Sequence, residues 1–184
     1  RMRETGDRAL LLIDIQNDYF PGGRMELSGA QKAAETAGFL LGNARGRGIP
    51  VFHVQHVSLR SGASFFLPGT HGVEFHELVK PLPYETVFVK NYPNSFRETG
   101  LEKKLRELGI RELVVAGMMT HMCVDSTVRA AFDLGLDCIV AHDACATKAL
   151  QWGSTMVPAD LVQVTFLAAL SGVFAQVKDS SALI

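Results

Sequence analysis

The chain is poor in the features that would open several whole classes of function. Its three cysteines are odd in number and show no CxxC spacing, which argues against a disulfide framework and against a structural zinc site. No Lys/Arg cluster stands out and the formal net charge is -1, so the concentrated basic footprint of a nucleic-acid-binding protein is missing. No apolar run approaches the roughly 20 residues of a membrane span. The stretch Arg1 to Arg8 has no apolar segment of the kind a secretory leader needs. A reducing cytoplasm is the location these absences lead one to expect. There is no internal repeat, low-complexity tract or linker, and 184 residues suit one domain spanning 1–184.

What is present is globular: 47% hydrophobic and 20% charged residues, arranged as short apolar runs separated by amphipathic stretches. That βαβα alternation predicts a buried parallel sheet flanked by helices. Residues 9–14, 51–55, 86–90, 112–117 and 136–140 read as strands, with a last one at 173–177. A helix is expected over 30–43, ended by Gly42, Gly46 and Gly48, glycines that punctuate a turn and do not form a phosphate loop. Leu101, Leu105 and Leu108 share one helical face that Gly109 ends. Residues 154–170 look helical. Residues 58–83 are the least regular, and so long an irregular segment reads as a functional flap.

Three reactive side chains stand at equivalent places. Asp14 ends the run Ala9 to Ile13, Lys90 ends Thr86 to Val89, and Cys123 lies where the 112–117 strand turns into a helix. An acid, an ammonium and a thiol at the carboxyl ends of parallel strands would meet in one crevice. With Thr120 as N-cap, Cys123 falls in the first helical turn, where backbone N–H groups and a nearby cation lower a thiol pKa. Lys90 then holds the thiolate, Asp14 shuttles its proton, and the turn's N–H groups offer an oxyanion hole. Spacing alone leaves open the blander reading of Cys123 as a small buried hydrophobe.

The motifs extend this. Asp14-Ile15-Gln16-Asn17-Asp18-Tyr19 with Gly22-Gly23, then Val89-Lys90 with Ser95-Phe96, resemble signatures of the isochorismatase-like cysteine hydrolases. Gly117-Met118-Met119-Thr120-His121-Met122-Cys123-Val124 with Thr127 and Ala130 resembles that family's nucleophile turn, and His142 to Ala146 its later D-A motif. The matches run in order over about residues 9 to 175. The resemblance implies a three-layer α/β/α, Rossmann-like open fold with a six-stranded parallel sheet and a catalytic Asp14, Lys90, Cys123 triad. It also implies a cis peptide between Met118 and Met119, aiming the N–H groups of Met119 and Cys123 at an oxyanion.

Within that family, nicotinamidases carry an Asp-x-His pair and a later His that bind a metal. Here the corresponding stretch reads His53-Val54-Gln55-His56-Val57, so no metal is expected, and His53, His56, His71 and His76 read as strand and loop histidines. Because Cys123 is present, the resemblance points to attack at a C–N acyl centre of a small amide, carbamoyl or ureido compound, with no cofactor. The alternatives are ether hydrolysis of the isochorismatase type and a non-catalytic scaffold of the same fold. Gln16, Tyr19, Phe20, Tyr92 and Phe96 are the candidate substrate-binding residues, and Asn17 and Asn94 their neighbours. His121 offers a rival Cys/His dyad. Cys138 reads as core, Cys145 as structural in a loop, and Trp152 as a pocket cap or subunit contact. A small-molecule substrate is expected, with no nucleic-acid or membrane partner. By analogy the assembly is a dimer or tetramer.

Overall fold

The computed structural model describes residues 5–183; Arg1 to Glu4, part of the stretch read above for a leader, lie outside the described residues. The elements in chain order are β1 (Arg8–Ile13), α1 (Ala30–Gly46), β2 (Val51–His56), β3 (Thr86–Lys90), α2 (Leu101–Glu107), β4 (Glu112–Met118), α3 (Asp125–Asp133), β5 (Asp137–Ala146), β6 (Leu150–Trp152), β7 (Thr155–Val157), α4 (Ala159–Leu170) and β8 (Gln176–Lys178). Six strands form one sheet in the order β3-β2-β1-β4-β5-β8, and all its pairings are parallel. The remaining two, β6 and β7, pair antiparallel as a separate hairpin.

Side chains alternate across the sheet with period two, and β1 shows what this does. Leu10 and Leu12 face a core shared with Ala33, Ala34, Ala37, Leu40, Leu41 and Ala44 of α1. Ala9, Leu11 and Ile13 face the opposite core, with Leu101 and Leu105 of α2 and Val128 and Ala131 of α3. A strand buried on both faces must read as a continuous apolar run, which is why β1 and β4 do. Each fully buried leucine contributes roughly 2 kcal/mol by its removal from water. The alanines of α1 let its axis approach the sheet closely.

Because β1 sends β2 and β3 to one side and lies against β4 on the other, the strand order reverses between β1 and β4. The crevice outside the carboxyl ends of strands at such a point is where α/β sheets bind ligands. Gly117 makes the close approach there possible. Its φ is +146°, and a Cβ on it would collide with the Ile13 carbonyl.

Several boundaries differ from the sequence expectation. Helix α1 runs through Gly42 to Gly46, and Gly48, at φ +66°, ends it. Residues 155–157 belong to the hairpin, so α4 begins only after Pro158, whose missing N–H suits a helix start. Strand β5 continues past 140 to Ala146, placing Cys145 in a strand and not in a loop. The last strand is 176–178, because Val173 lies in the turn around Gly172 (φ +92°). The segment 58–83 contains two short 3-10 turns, His71–Val73 and Glu77–Val79. It is pinned by Asp18, whose carboxylate accepts the N–H of Arg24 (3.1 Å) and of Phe66 (2.7 Å), and by the bridge Gln16–Phe75.

Candidate active site

Asp14 follows β1 with φ +52°, a left-handed conformation that costs a non-glycine residue roughly 1 kcal/mol or more. Its N–H is held by the Val54 carbonyl (3.0 Å). Lys90 ends β3, two strand positions from β1 and therefore roughly 10 Å away across the sheet. Only a long side chain spans that gap, and Lys90 does so over the end of β2. Its ammonium reaches Asp14 Oδ2 (2.8 Å) and Cys123 Sγ (3.2 Å). All three side chains are nearly sealed from solvent. The structure thus brings together the acid, the ammonium and the thiol.

It adds a fourth group. Lys90 Nζ also lies 2.8 Å from His56 Nδ1. An ammonium only donates, so Nδ1 accepts and the imidazole proton resides on Nε2. The three hydrogens of Lys90 are then matched by three acceptors. Burial and the adjacent ammonium push the His56 pKa down to about 4, which keeps the ring neutral. Sequence reasoning took His56 for an ordinary strand histidine. The signal was available: His56 ends β2 as Lys90 ends β3, and the two are register partners.

Cys123 lies in a π-helical turn, Thr120–Val124. This corrects the expected geometry: Met119, not Thr120, occupies the cap, and no side chain caps the turn. The Met119 carbonyl accepts the N–H of Met122 (3.0 Å) and Val124 (3.3 Å), and the Met118–Met119 peptide is cis. Thr120 instead donates its hydroxyl to Gln163 (2.6 Å).

The expected lowering of the thiol pKa is also overturned. Burial pushes the Cys123 thiol up, the Asp14 carboxylate pushes the same way, and Lys90 only partly opposes them. The resting sulfur is protonated. Lys90 itself is held charged: burial works against the ammonium, but Asp14 and then Cys123 outweigh it and raise its pKa. The buried set Lys90⁺/Asp14⁻/Cys123–SH is neutral. Ionising the thiol outright would strand a negative charge, whereas moving its proton to Asp14 keeps the set neutral.

The five candidate substrate-binding residues divide. Tyr19 is buried beside the site, edge-on to Phe66 (4.6 Å between centroids), and burial followed by the charges of Cys123, Asp14 and Asp18 raises its phenol pKa. Phe20 stacks on His76 (3.9 Å). Gln16 does not face a substrate: its amide bonds the carbonyls of His56 (2.9 Å) and Val73 (2.8 Å) and accepts the His56 N–H (2.8 Å), fixing the end of β2 against the 58–83 segment. Phe96 packs into the core under α2 and α3. Tyr92 lies under the Arg97 guanidinium (3.5 Å). Asn17 bonds the His71 carbonyl (3.0 Å) and Asn94 the Phe96 N–H (2.9 Å), both structural. The ring of His121 pairs with the Thr147 hydroxyl (2.5 Å). Cys138 is core, and Cys145 donates to the Ala141 carbonyl (3.4 Å).

Among the described residues two groups have donors close enough to share a cation. Asp14, His56 and Cys123 form one, but the point between them is held by Lys90. His142, Asp143 and Asp179 form the other, and both Asp143 oxygens are taken by Ser180 (2.9 and 2.5 Å). The largest cavity, about 1030 Å³, is walled by Phe20, Arg24, Gln55, Glu74, His76 and Lys80, and the triad does not line it.

Residues 8–173 match the isochorismatase domain model. The chain belongs to the isochorismatase family. It is 55% identical to the uncharacterized isochorismatase family protein YddQ of Bacillus subtilis (strain 168), over 96% of this chain and 98% of that protein. It is 31% identical to the ureidoacrylate amidohydrolase RutB of Variovorax paradoxus (strain S110), over 76% of this chain and 69% of that protein. A crystal structure of an isochorismatase-type hydrolase from Oleispira antarctica superposes with a TM-score of 0.94 at 45% identity, covering 100% of this chain and 98% of that one. The family is hydrolytic, and the six-stranded parallel sheet flanked by helices is its fold.

Proposed function

We propose that the protein is a cysteine amidohydrolase that cleaves a C–N bond of a small amide, carbamoyl or ureido compound through a thioester. The reading rests on one observation: a single buried ammonium lies 2.8 Å from Asp14 and 3.2 Å from the Cys123 sulfur. Similarity to an amidohydrolase of a ureido compound supports the bond type. As Cys123 attacks the carbonyl carbon, its proton passes to Asp14, a transfer that leaves the buried site neutral. The Met119 and Cys123 N–H groups receive the oxyanion. Collapse breaks the C–N bond while Asp14 returns the proton to the departing nitrogen. Water then gives a proton to Asp14 and attacks the thioester, releasing the acid and restoring the thiol. Lys90 stays charged throughout and holds Asp14 and the sulfur in register. The scheme uses side chains only.

The experiment is a screen of amides, carbamates and ureides for ammonia or amine release, with mass spectrometry of the quenched enzyme. A mass adduct on Cys123 is expected, and Cys123→Ala is expected to fold normally and to lose at least about 10³-fold in turnover. Full activity in the alanine variant rejects the scheme. Turnover of a vinyl ether without an adduct assigns ether hydrolysis instead.

A further inference from the structure

The hairpin β6–β7 is an arm. Residues 151–156 are all exposed, and Gln151 bonds the Gly153 carbonyl within the same turn (2.9 Å). A two-stranded hairpin standing alone in water is marginally stable at best. This one carries Trp152 at 88% exposure, the single tryptophan of the chain. Helix α4 follows it directly and is apolar on both sides. Val162 and Leu170 turn inward, while Leu161 and Val164 are more than half exposed. A helix apolar all round belongs in a buried setting.

We infer that the face formed by the β6–β7 hairpin and the outer side of α4 is the contact surface for a second copy of this chain, with Trp152 as its anchor. The exposed Trp152, Met156, Leu161 and Val164 leave on the order of 500 Å² in water, at the upper end for a monomer's largest patch. That is more than half of the roughly 800 Å² a stable interface takes from each partner. Charge selects the occupant. Between Ala149 and Val177 the only charged side chain is Asp160, so nothing there recruits an acidic or basic partner or a lipid headgroup. A face without charge meets its own copy without repulsion, and two-fold self-pairing is the commonest mode of assembly.

The same surface backs the nucleophile turn. Gln163 of α4 accepts from Thr120 (2.6 Å) and donates to the carbonyls of Cys145 (3.2 Å) and His142 (3.4 Å). Thr147, just before the arm, holds His121.

Because the tryptophan is unique, its fluorescence reports on this contact alone. Sedimentation velocity at micromolar concentration is expected to give a dimer or larger, with Trp152 emission blue-shifted and poorly quenched by acrylamide. The pair Leu161→Asp/Val164→Asp keeps the reporter, and is expected to give a monomer whose quenching rises several-fold. Trp152→Ser, at an exposed position, is expected to weaken the dimer at least tenfold, and it decides the matter by sedimentation should the aspartate pair melt the helix. A wild-type monomer overturns the inference. So does an oligomer with freely quenched Trp152, or one that Trp152→Ser leaves as tight as before.

Discussion

Replacing Lys90 by methionine removes the cation on which the proposed site turns, while keeping much of the side chain's apolar volume. The loss is not simply three hydrogen bonds. Asp14 is left with no accessible surface and no cation, and its Oδ1 already has no hydrogen-bond partner among the described residues. Removing one partner of a buried ion pair costs about 3–5 kcal/mol, a large part of the 5–15 kcal/mol that holds a domain together. Asp14 relieves part of this by taking a proton, so its folded pKa rises above the unfolded value of about 3.9. Stability contributed by a raised pKa is lost as pH rises, and the variant should weaken from acid toward neutral pH. Adding Asp14→Asn removes the stranded charge, so the double variant should recover at least half of the loss. Urea titration of the wild type, both single variants and the double variant measures this coupling. Iodoacetamide alkylation of Cys123 should shift further alkaline in Lys90→Met, because the only term lowering the thiol pKa is gone. A Lys90→Met variant within about 1 kcal/mol of wild type, or a double variant no more stable than it, refutes the reasoning about the buried pair.

Two further outcomes follow from the geometry. Gly117→Ala places a Cβ against the Ile13 carbonyl at a φ of +146°, and a loss of more than about 3 kcal/mol in urea stability is expected, since neither β1 nor β4 can yield. His56, with its folded pKa lowered from 6.5 to about 4 by burial and then by Lys90, binds a proton more readily when unfolded. Its contribution is therefore fully present above pH 6.5 and lost as pH falls toward 4, at most about 3 kcal/mol. His56→Asn should remove that slope, and parallel stability curves for the two proteins across this range would refute it.

The strand ends were the legible part of this molecule. Asp14, Lys90 and Cys123 could be found because a charge or thiol terminating an apolar run has no packing reason to be there. His56 obeys the same rule and escaped it because a histidine is compatible with a strand interior. His53, two turns of the pleat earlier and bonded to Glu85 (2.7 Å), is that ordinary case. Sequence spacing placed Cys123 after a strand but said nothing of how deeply it is buried, and depth is what reverses the sign of its pKa shift. Gln16 and Phe96 were misread for a related reason. Both neighbour catalytic residues along the chain, yet each side chain turns away, to backbone carbonyls in one case and to the core in the other. The hairpin was missed because three-residue strands with a glycine between them carry too little periodicity to compete with a helical reading of 154–170.

Strand β3 forms the outer margin of the sheet, bonded on one side only, with Val87 and Val89 partly in water. Margins of this kind fray before centres do. The protein therefore keeps its ammonium on its least secure strand and its carboxylate on its most secure one. Mild denaturant should silence catalysis while the interior remains folded, and the amide hydrogens of residues 86–90 should exchange with solvent well ahead of those of residues 9–13.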